Sequence, residues 1–142
     1  MSLFEKSLEI AVKAHLGQKD KVGKAYILHP LRIMAKMEAE EEMAVALLHD
    51  VIEDSDFQAG DLLSEGIPET VVDAVECLTK REGEDYGVYL ERVMGNRLAA
   101  IIKKADIEDN INILRLHNVT DRDLERIKRY HQAWWKLEGL VS

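Results

Sequence analysis

The segment His49-Asp50-Val51-Ile52-Glu53-Asp54 places four ionisable side chains within six residues, directly after the apolar run Met43-Ala44-Val45-Ala46-Leu47-Leu48. In a continuous helix of 3.6 residues per turn, His49 and Glu53 share one stripe and Asp50 and Asp54 the next. Ionisable groups at the end of a buried segment are costly unless they are paired or bind a metal. The segment is therefore either an ion-pair terminus or part of a metal site. Two distant residues share its placement. His29 stands at a loop-to-helix junction before Pro30, and Asp106 closes the apolar stretch 99–105. Together His29, His49, Asp50 and Asp106 offer two imidazoles and two carboxylates. That nitrogen and oxygen set, without thiolate, suits Mn²⁺, Fe²⁺ or Zn²⁺ better than a soft metal. Four such ligands on an octahedral ion leave positions for water and a substrate oxygen, and a bound divalent ion lowers the pKa of its water from 15.7 to about 7.

The elements that must position these residues read almost entirely as helix. The first spans 2–16, with Phe4, Leu8, Ala11, Val12 and His15 on one face, and Gly17 is a natural stop. Residues 18–28 form a loop. Pro30 suits the first position of a short second helix carrying Leu31, Ile33, Met34 and Met37. The third helix covers 40–53. A polar turn region follows over 55–67, then helices over 68–79, 85–94 and 97–114. Thr120-Asp121-Arg122-Asp123 resembles a capping box with Asp in place of Glu. It opens a last helix with the stripe Ile127, Tyr130, Trp134, Leu137 and Val141. No alternating pattern is long enough for a sheet. The expectation is one all-α domain over residues 1–142, a bundle of six or seven helices.

Composition limits the partners. A formal net charge of -8 opposes binding to nucleic acid polymers or an anionic membrane, and leaves room for a small phosphorylated ligand. Cys77 is the only cysteine, so there is no internal disulfide and no thiolate cluster for zinc. No apolar run approaches the ~20 residues of a membrane span, and residues 1–6 lack the layout of a signal peptide. A soluble cytoplasmic protein, free to form oligomers, is the simplest reading.

The spacing H…HD…D, with the middle pair extended to His49-Asp50-Val51-Ile52-Glu53-Asp54, resembles that of the HD-domain metal-dependent phosphohydrolases. The wider motifs narrow the resemblance to the hydrolase domain of the RelA/SpoT proteins and the small stand-alone alarmone hydrolases. These are Ala14-His15-Leu16-Gly17-Gln18, Tyr26-Ile27-Leu28-His29-Pro30-Leu31, Val75-Glu76-Cys77-Leu78-Thr79 and Lys103-Lys104-Ala105-Asp106 with Asn110. The resemblance covers about residues 5–137. It implies an HD-type helical bundle that removes the 3′-diphosphate of guanosine tetra- or pentaphosphate, the alarmone of the stringent response. Pyrophosphate is released, usually with Mn²⁺. His29, His49, Asp50 and Asp106 match the family's metal ligands, and Glu53 and Asp54 its acidic pair beside the attacking water. Glu53 is the residue expected to orient or deprotonate that water, with Asp54 supporting it. Lys19, Lys21 and Lys24 fall in the family's basic loop, and Tyr26, Lys103 and Asn110 complete the expected substrate contacts.

Two departures bear on substrate. The family usually has a basic residue after the Ala-Asp step, then an apolar one, then His or Tyr before Asn. Here the run is Ile107-Glu108-Asp109-Asn110, and Asp20 stands in the basic loop. These changes leave the metal set intact and open two alternatives, another nucleotide or phosphate ester as substrate, and a catalytically silent nucleotide-binding domain. Of the remaining residues, His15, Trp134 and Trp135 read as packing, Cys77 as a buried small hydrophobe, and His117 and His131 as surface.

Overall fold

A computed structural model describes residues 1–141. Among them are nine α-helices, α1 (Leu3–Ala14), α2 (Leu28–Met34), α3 (Glu40–Leu48), α4 (Val51–Asp54), α5 (Ala59–Ser64), α6 (Glu69–Leu78), α7 (Tyr86–Met94), α8 (Arg97–Asn110) and α9 (Asp121–Val141), with a 3₁₀ turn at Ile113–Arg115. The described residues contain no strand, and their extended backbone pairs only in an isolated bridge between Lys19 and Ala25. The domain is all-α, as expected, with two or three more helices than the sequence suggested.

Helix α3 runs through the centre. Residues Ala44 to Leu48 are fully buried in consecutive positions, so beyond its exposed first turn this helix has no solvent face, and it packs against α1, α2, α6 and α8. Each such leucine or valine contributes about 1.5–3 kcal/mol by leaving water. Helices α2 and α8 touch α3 and each other. That three-way contact positions the site, because each helix brings ligand-type residues to the same end.

The expected cap at Thr120 forms, and a second, not foreseen, forms at Ser2. Ser2 and Glu5 make a reciprocal capping box at α1, and Thr120 and Asp123 do the same at α9, where the Asp123 amide donates to Thr120 Oγ1 (3.2 Å) and the Thr120 amide to Asp123 Oδ2 (2.9 Å). On α9, Leu137 is fully buried and Tyr130 and Trp134 pack on the core, while the side chain of Val141 lies outside the described residues.

Four expectations need correction. The helix predicted over 40–53 is two helices, broken at His49-Asp50. The His49 imidazole donates through Nδ1 to the Ala46 carbonyl (2.6 Å), satisfying one of the acceptors that a helix end leaves open. The turn region 55–67 contains α5, whose Leu62 and following Ile67 are buried in the core. The helix predicted over 97–114 ends at Asn110, and Cys77 is half-buried. His117 and His131 are exposed.

Candidate metal centre and its two cavities

Four ligand-type atoms converge where α2, the α3–α4 break and α8 meet. His29 Nε2 lies 2.8 Å from Asp106 Oδ1 and 3.9 Å from Asp50 Oδ2. His49 Nε2 lies 3.1 Å from Asp50 Oδ2 and 3.5 Å from Asp106 Oδ1. His29, His49 and Asp50 place their donor atoms within 4.8 Å of one another, and Asp106 adjoins both imidazoles. All four sequence-predicted residues are thus brought together.

The imidazoles are aimed at this point. With Nδ1–H donating to Ala46, the neutral His49 ring carries its lone pair on Nε2, an atom that is buried and makes no hydrogen bond to a described residue. His29 Nδ1–H donates to Asp109 Oδ2 (2.6 Å), which turns its Nε2 into the cluster. A carboxylate behind a histidine fixes ring orientation and tautomer and makes the facing nitrogen more basic, the usual support of a metal-ligating histidine. The donor set, the unpartnered buried nitrogen and this support together fit a divalent cation.

Electrostatics point the same way. Burial opposes a charge on His49, but Asp50 and Asp106 outweigh it and hold its pKa well above the usual imidazole value. Burial likewise opposes ionisation of Asp106, yet Lys103, His29 and His49 hold that carboxyl well below its usual range. Asp50 is lowered to about 2 against its burial, chiefly by His49. The cluster stabilises positive charge at its centre. Asp54 is pushed up to about 6 by partial desolvation and by the charges of Asp50 and Glu53.

Other predicted residues hold these carboxylates in place. The Tyr26 hydroxyl donates to Asp50 Oδ2, and burial next to that carboxylate drives the phenol pKa upward. Lys103 Nζ donates to Asp106 Oδ2 (2.9 Å) and Asn110 Nδ2 to Asp106 Oδ1 (3.0 Å). His15 is buried, donates to Gln18 Oε1 (2.8 Å) and stands outside the cluster. Gln18 in turn donates to the Asp54 carbonyl (2.8 Å), tying the end of α1 to α4.

Two cavities meet at the cluster. The first, of about 300 Å³, is lined by Lys19, Lys21, Tyr26, His29, Asn110 and apolar side chains including Ile113 and Ile127. Lys19 and Lys21 belong to a loop shaped by Asp20, whose carboxylate accepts from the Val22 and Lys24 amides (3.0 and 2.9 Å). Gly23, at φ +82°, makes the turn that L side chains resist. Lys24 lines neither cavity. The second, of about 200 Å³, is lined by His49, Asp50, Glu53, Lys103, Asp106 and a set of tyrosines and cations. Tyr130 lines both. Glu53 faces the second cavity, with Oε1 accepting from the Lys80 amide (2.9 Å); Asp54 lines neither.

The departures after Asp106 acquire physical meanings. Ile107 is fully buried in the core, where a cation could not be placed without a partner. Glu108 turns away, to Trp134 Nε1 (3.0 Å) and Lys36 (3.5 Å). Asp109 supports His29 and is itself clamped by Arg32, through Nε (2.8 Å) and Nη2 (2.9 Å), and by Arg115. Sequence reasoning missed this trio. The available signal was helical spacing, since Asp109 lies three residues beyond Asp106 on the same face of α8.

An all-helical domain that gathers a histidine, a His-Asp pair and a distant aspartate at one point is an HD-type domain. No family model matches the chain. It is 38% identical over 84 residues to a putative chloroplastic GTP diphosphokinase of Arabidopsis thaliana, covering 56% of this chain and 10% of that protein. It is 30% identical over 123 residues to a guanosine-3′,5′-bis(diphosphate) 3′-pyrophosphohydrolase of Aquifex aeolicus, covering 78% and 18%. Among solved structures it resembles a metazoan ortholog of SpoT described as hydrolysing ppGpp, with a TM-score of 0.78 at 23% identity over 100% of this chain and 89% of the other. The chain spans between 9% and 18% of the length of the curated relatives it matches. In sequence it is similar to a segment of these relatives, and in fold to the SpoT ortholog.

Proposed function

We propose that this chain is a divalent-metal-dependent phosphohydrolase, with Mn²⁺ as its ion, that removes the 3′-diphosphate of guanosine tetra- or pentaphosphate and releases pyrophosphate. The observation that carries the reading is the convergence of His29 Nε2, His49 Nε2, Asp50 Oδ2 and Asp106 Oδ1 at the boundary of two cavities. The names of the relatives supply the substrate. His29, His49, Asp50 and Asp106 would hold the ion, which when bound supplies Lewis-acid stabilisation of phosphate charge and a more acidic water.

The chain's own residues do the rest. Glu53, on the wall of the second cavity, takes the proton of the attacking water, and Asp54 beside it shares the negative charge of that corner. Tyr26 fixes Asp50, and Lys103 and Asn110 fix Asp106, so that the ligands do not rearrange during turnover. Lys19 and Lys21 present positive charge to the substrate from the first cavity, whose apolar wall suits a nucleoside. The substrate would be a small nucleotide, handled away from any membrane, and no helix among the described residues is long and apolar enough to cross one.

The test is direct. Protein reconstituted with Mn²⁺, with its metal content measured, should release pyrophosphate from guanosine tetraphosphate. Metal-loaded protein that leaves this substrate intact would refute the assignment. One observation favours a second substrate reading. Arg32 and Arg115 in the first cavity are both engaged by Asp109, and Lys21 and Arg126 by Asp123 (3.6 and 2.9 Å). A less highly charged nucleotide therefore belongs in the same assay, and release of orthophosphate from a monophosphate would favour it.

A further inference from the structure

The cations around the second cavity are placed differently. Lys80 and Arg129 both line it, and neither makes an ion pair with a described residue. The Arg129 guanidinium instead lies over the rings of Tyr86 (4.9 Å) and Tyr130 (5.6 Å). Stacking of this kind holds the plane and leaves the N–H donors free, the arrangement that suits bidentate contact with phosphate oxygens. Beneath it, the Tyr86 hydroxyl is buried and has no hydrogen-bond partner. A buried donor left unpaired is costly, and a ligand oxygen would relieve it. Lys103 adds charge at the floor, beside Asp106. Glu53 is the one lining carboxylate outside the metal cluster, and it is already engaged by the Lys80 amide.

We infer that the second cavity is the diphosphate site. Lys80, Arg129 and Tyr86 would grip the two phosphates passed to water, and the pyrophosphate they become, while the nucleoside lies in the first cavity. This rests on the phosphohydrolase reading above and assigns its substrate an orientation. The bond between phosphorus and the 3′-oxygen breaks, and a bond forms between that phosphorus and the water oxygen. One water proton passes to Glu53, and the departing 3′-oxygen takes up a proton from solvent on the side of the first cavity. Guanosine tetraphosphate plus one water thus gives guanosine diphosphate and pyrophosphate. Water arrives from the Glu53 side, opposite the departing oxygen, as an in-line displacement requires.

The experiment measures binding of inorganic pyrophosphate and, separately, of guanosine diphosphate, to protein held at a fixed excess of Mn²⁺. Wild type is compared with K80A/R129A and with Y86F, which keeps the ring under Arg129 and removes only the hydroxyl. Pyrophosphate affinity should fall at least about tenfold in the double variant and about fivefold in Y86F, as expected for lost charge-assisted and neutral hydrogen bonds. Guanosine diphosphate binding should stay unchanged. Lys80 and Arg129 are exposed, so removing them opens no core. Pyrophosphate affinity equal to wild type in both variants would overturn the assignment, as would an equal loss for both ligands. If guanosine tetraphosphate is left uncut while pyrophosphate binding still depends on these residues, the substrate reading fails and the diphosphate site stands. If it is cut while the variants bind pyrophosphate normally, the site alone fails.

Discussion

Removing the Asp109 carboxylate tests whether the metal centre depends on a residue that ligates nothing. Asp109 is 6% exposed and joins three groups, accepting from His29 Nδ1, from Arg32 twice and from Arg115. In D109A the His29 ring loses the bond that aims Nε2, and Mn²⁺ affinity should fall about 10- to 100-fold, the usual effect of an outer hydrogen-bond partner, or about 1.4–2.8 kcal/mol of binding free energy. In D109N the amide oxygen can still accept from His29, so the loss should stay below about tenfold. Stability responds separately. The Arg32 and Arg115 side chains are 35% and 32% exposed, so the cost lies between that of surface and fully buried pairs, about 1–3 kcal/mol. Its pH dependence has a definite sign. Burial raises the Asp109 pKa, but His29 and Arg32 outweigh it and hold it well below the usual range. Its contribution is therefore present above the unfolded value of about 3.9 and is lost as pH falls below that. The stability gap between wild type and D109A should close in acid. Calorimetric titration of metal-free protein with Mn²⁺, and urea unfolding from pH 3 to pH 7, measure both. An unchanged Mn²⁺ affinity in D109A would refute the orientation argument.

Glu53→Gln should lower kcat by about 10²–10⁴-fold, the range for loss of a positioned base, with Mn²⁺ affinity retained; undiminished turnover would remove Glu53 from proton transfer. Tyr26→Phe deletes the donor to Asp50 and should cost about 1 kcal/mol of stability and up to about tenfold in Mn²⁺ affinity, read by denaturation and titration. Leu47→Ala empties a fully buried position in α3 and should cost about 2–5 kcal/mol. Urea unfolding that shows less than this would mean the central helix is not the main source of stability.

The sequence exposed those parts of this protein whose signals are local. Thr120 with Asp123 announces a helix start because a cap acts within one turn, and the cap forms. The four ligand-type residues were legible because each stands beside an apolar segment whose burial dictates where it ends. Helix α5 was not, since its six residues begin Ala59-Gly60 and bury only Leu62, too little for a period to show. Nor was the work of Asp109. Its partners His29 and Arg32 lie 80 and 77 residues away, and at that separation a carboxylate reads only as a missing cation. Lys80, Tyr86 and Arg129 sit on different elements, so nothing in their order marks them as one surface.

The most consequential departure is the break at His49-Asp50. Neighbours on a helix point about 100° apart and do not face each other. An uninterrupted helix would send His49 and Asp50 to different stripes, with Glu53 above the first. Instead His49 Nε2 and Asp50 Oδ2 are 3.1 Å apart and both border the second cavity. The histidine produces part of that geometry itself, since its Nδ1–H takes the Ala46 carbonyl at the helix end while Nε2 turns inward. After the break α4 restarts the chain with Glu53 on the cavity wall and the Asp54 carbonyl tied to Gln18. On the proposed reading, two adjacent residues would serve one ion, and a third the water, because the helix stops between Leu48 and Val51.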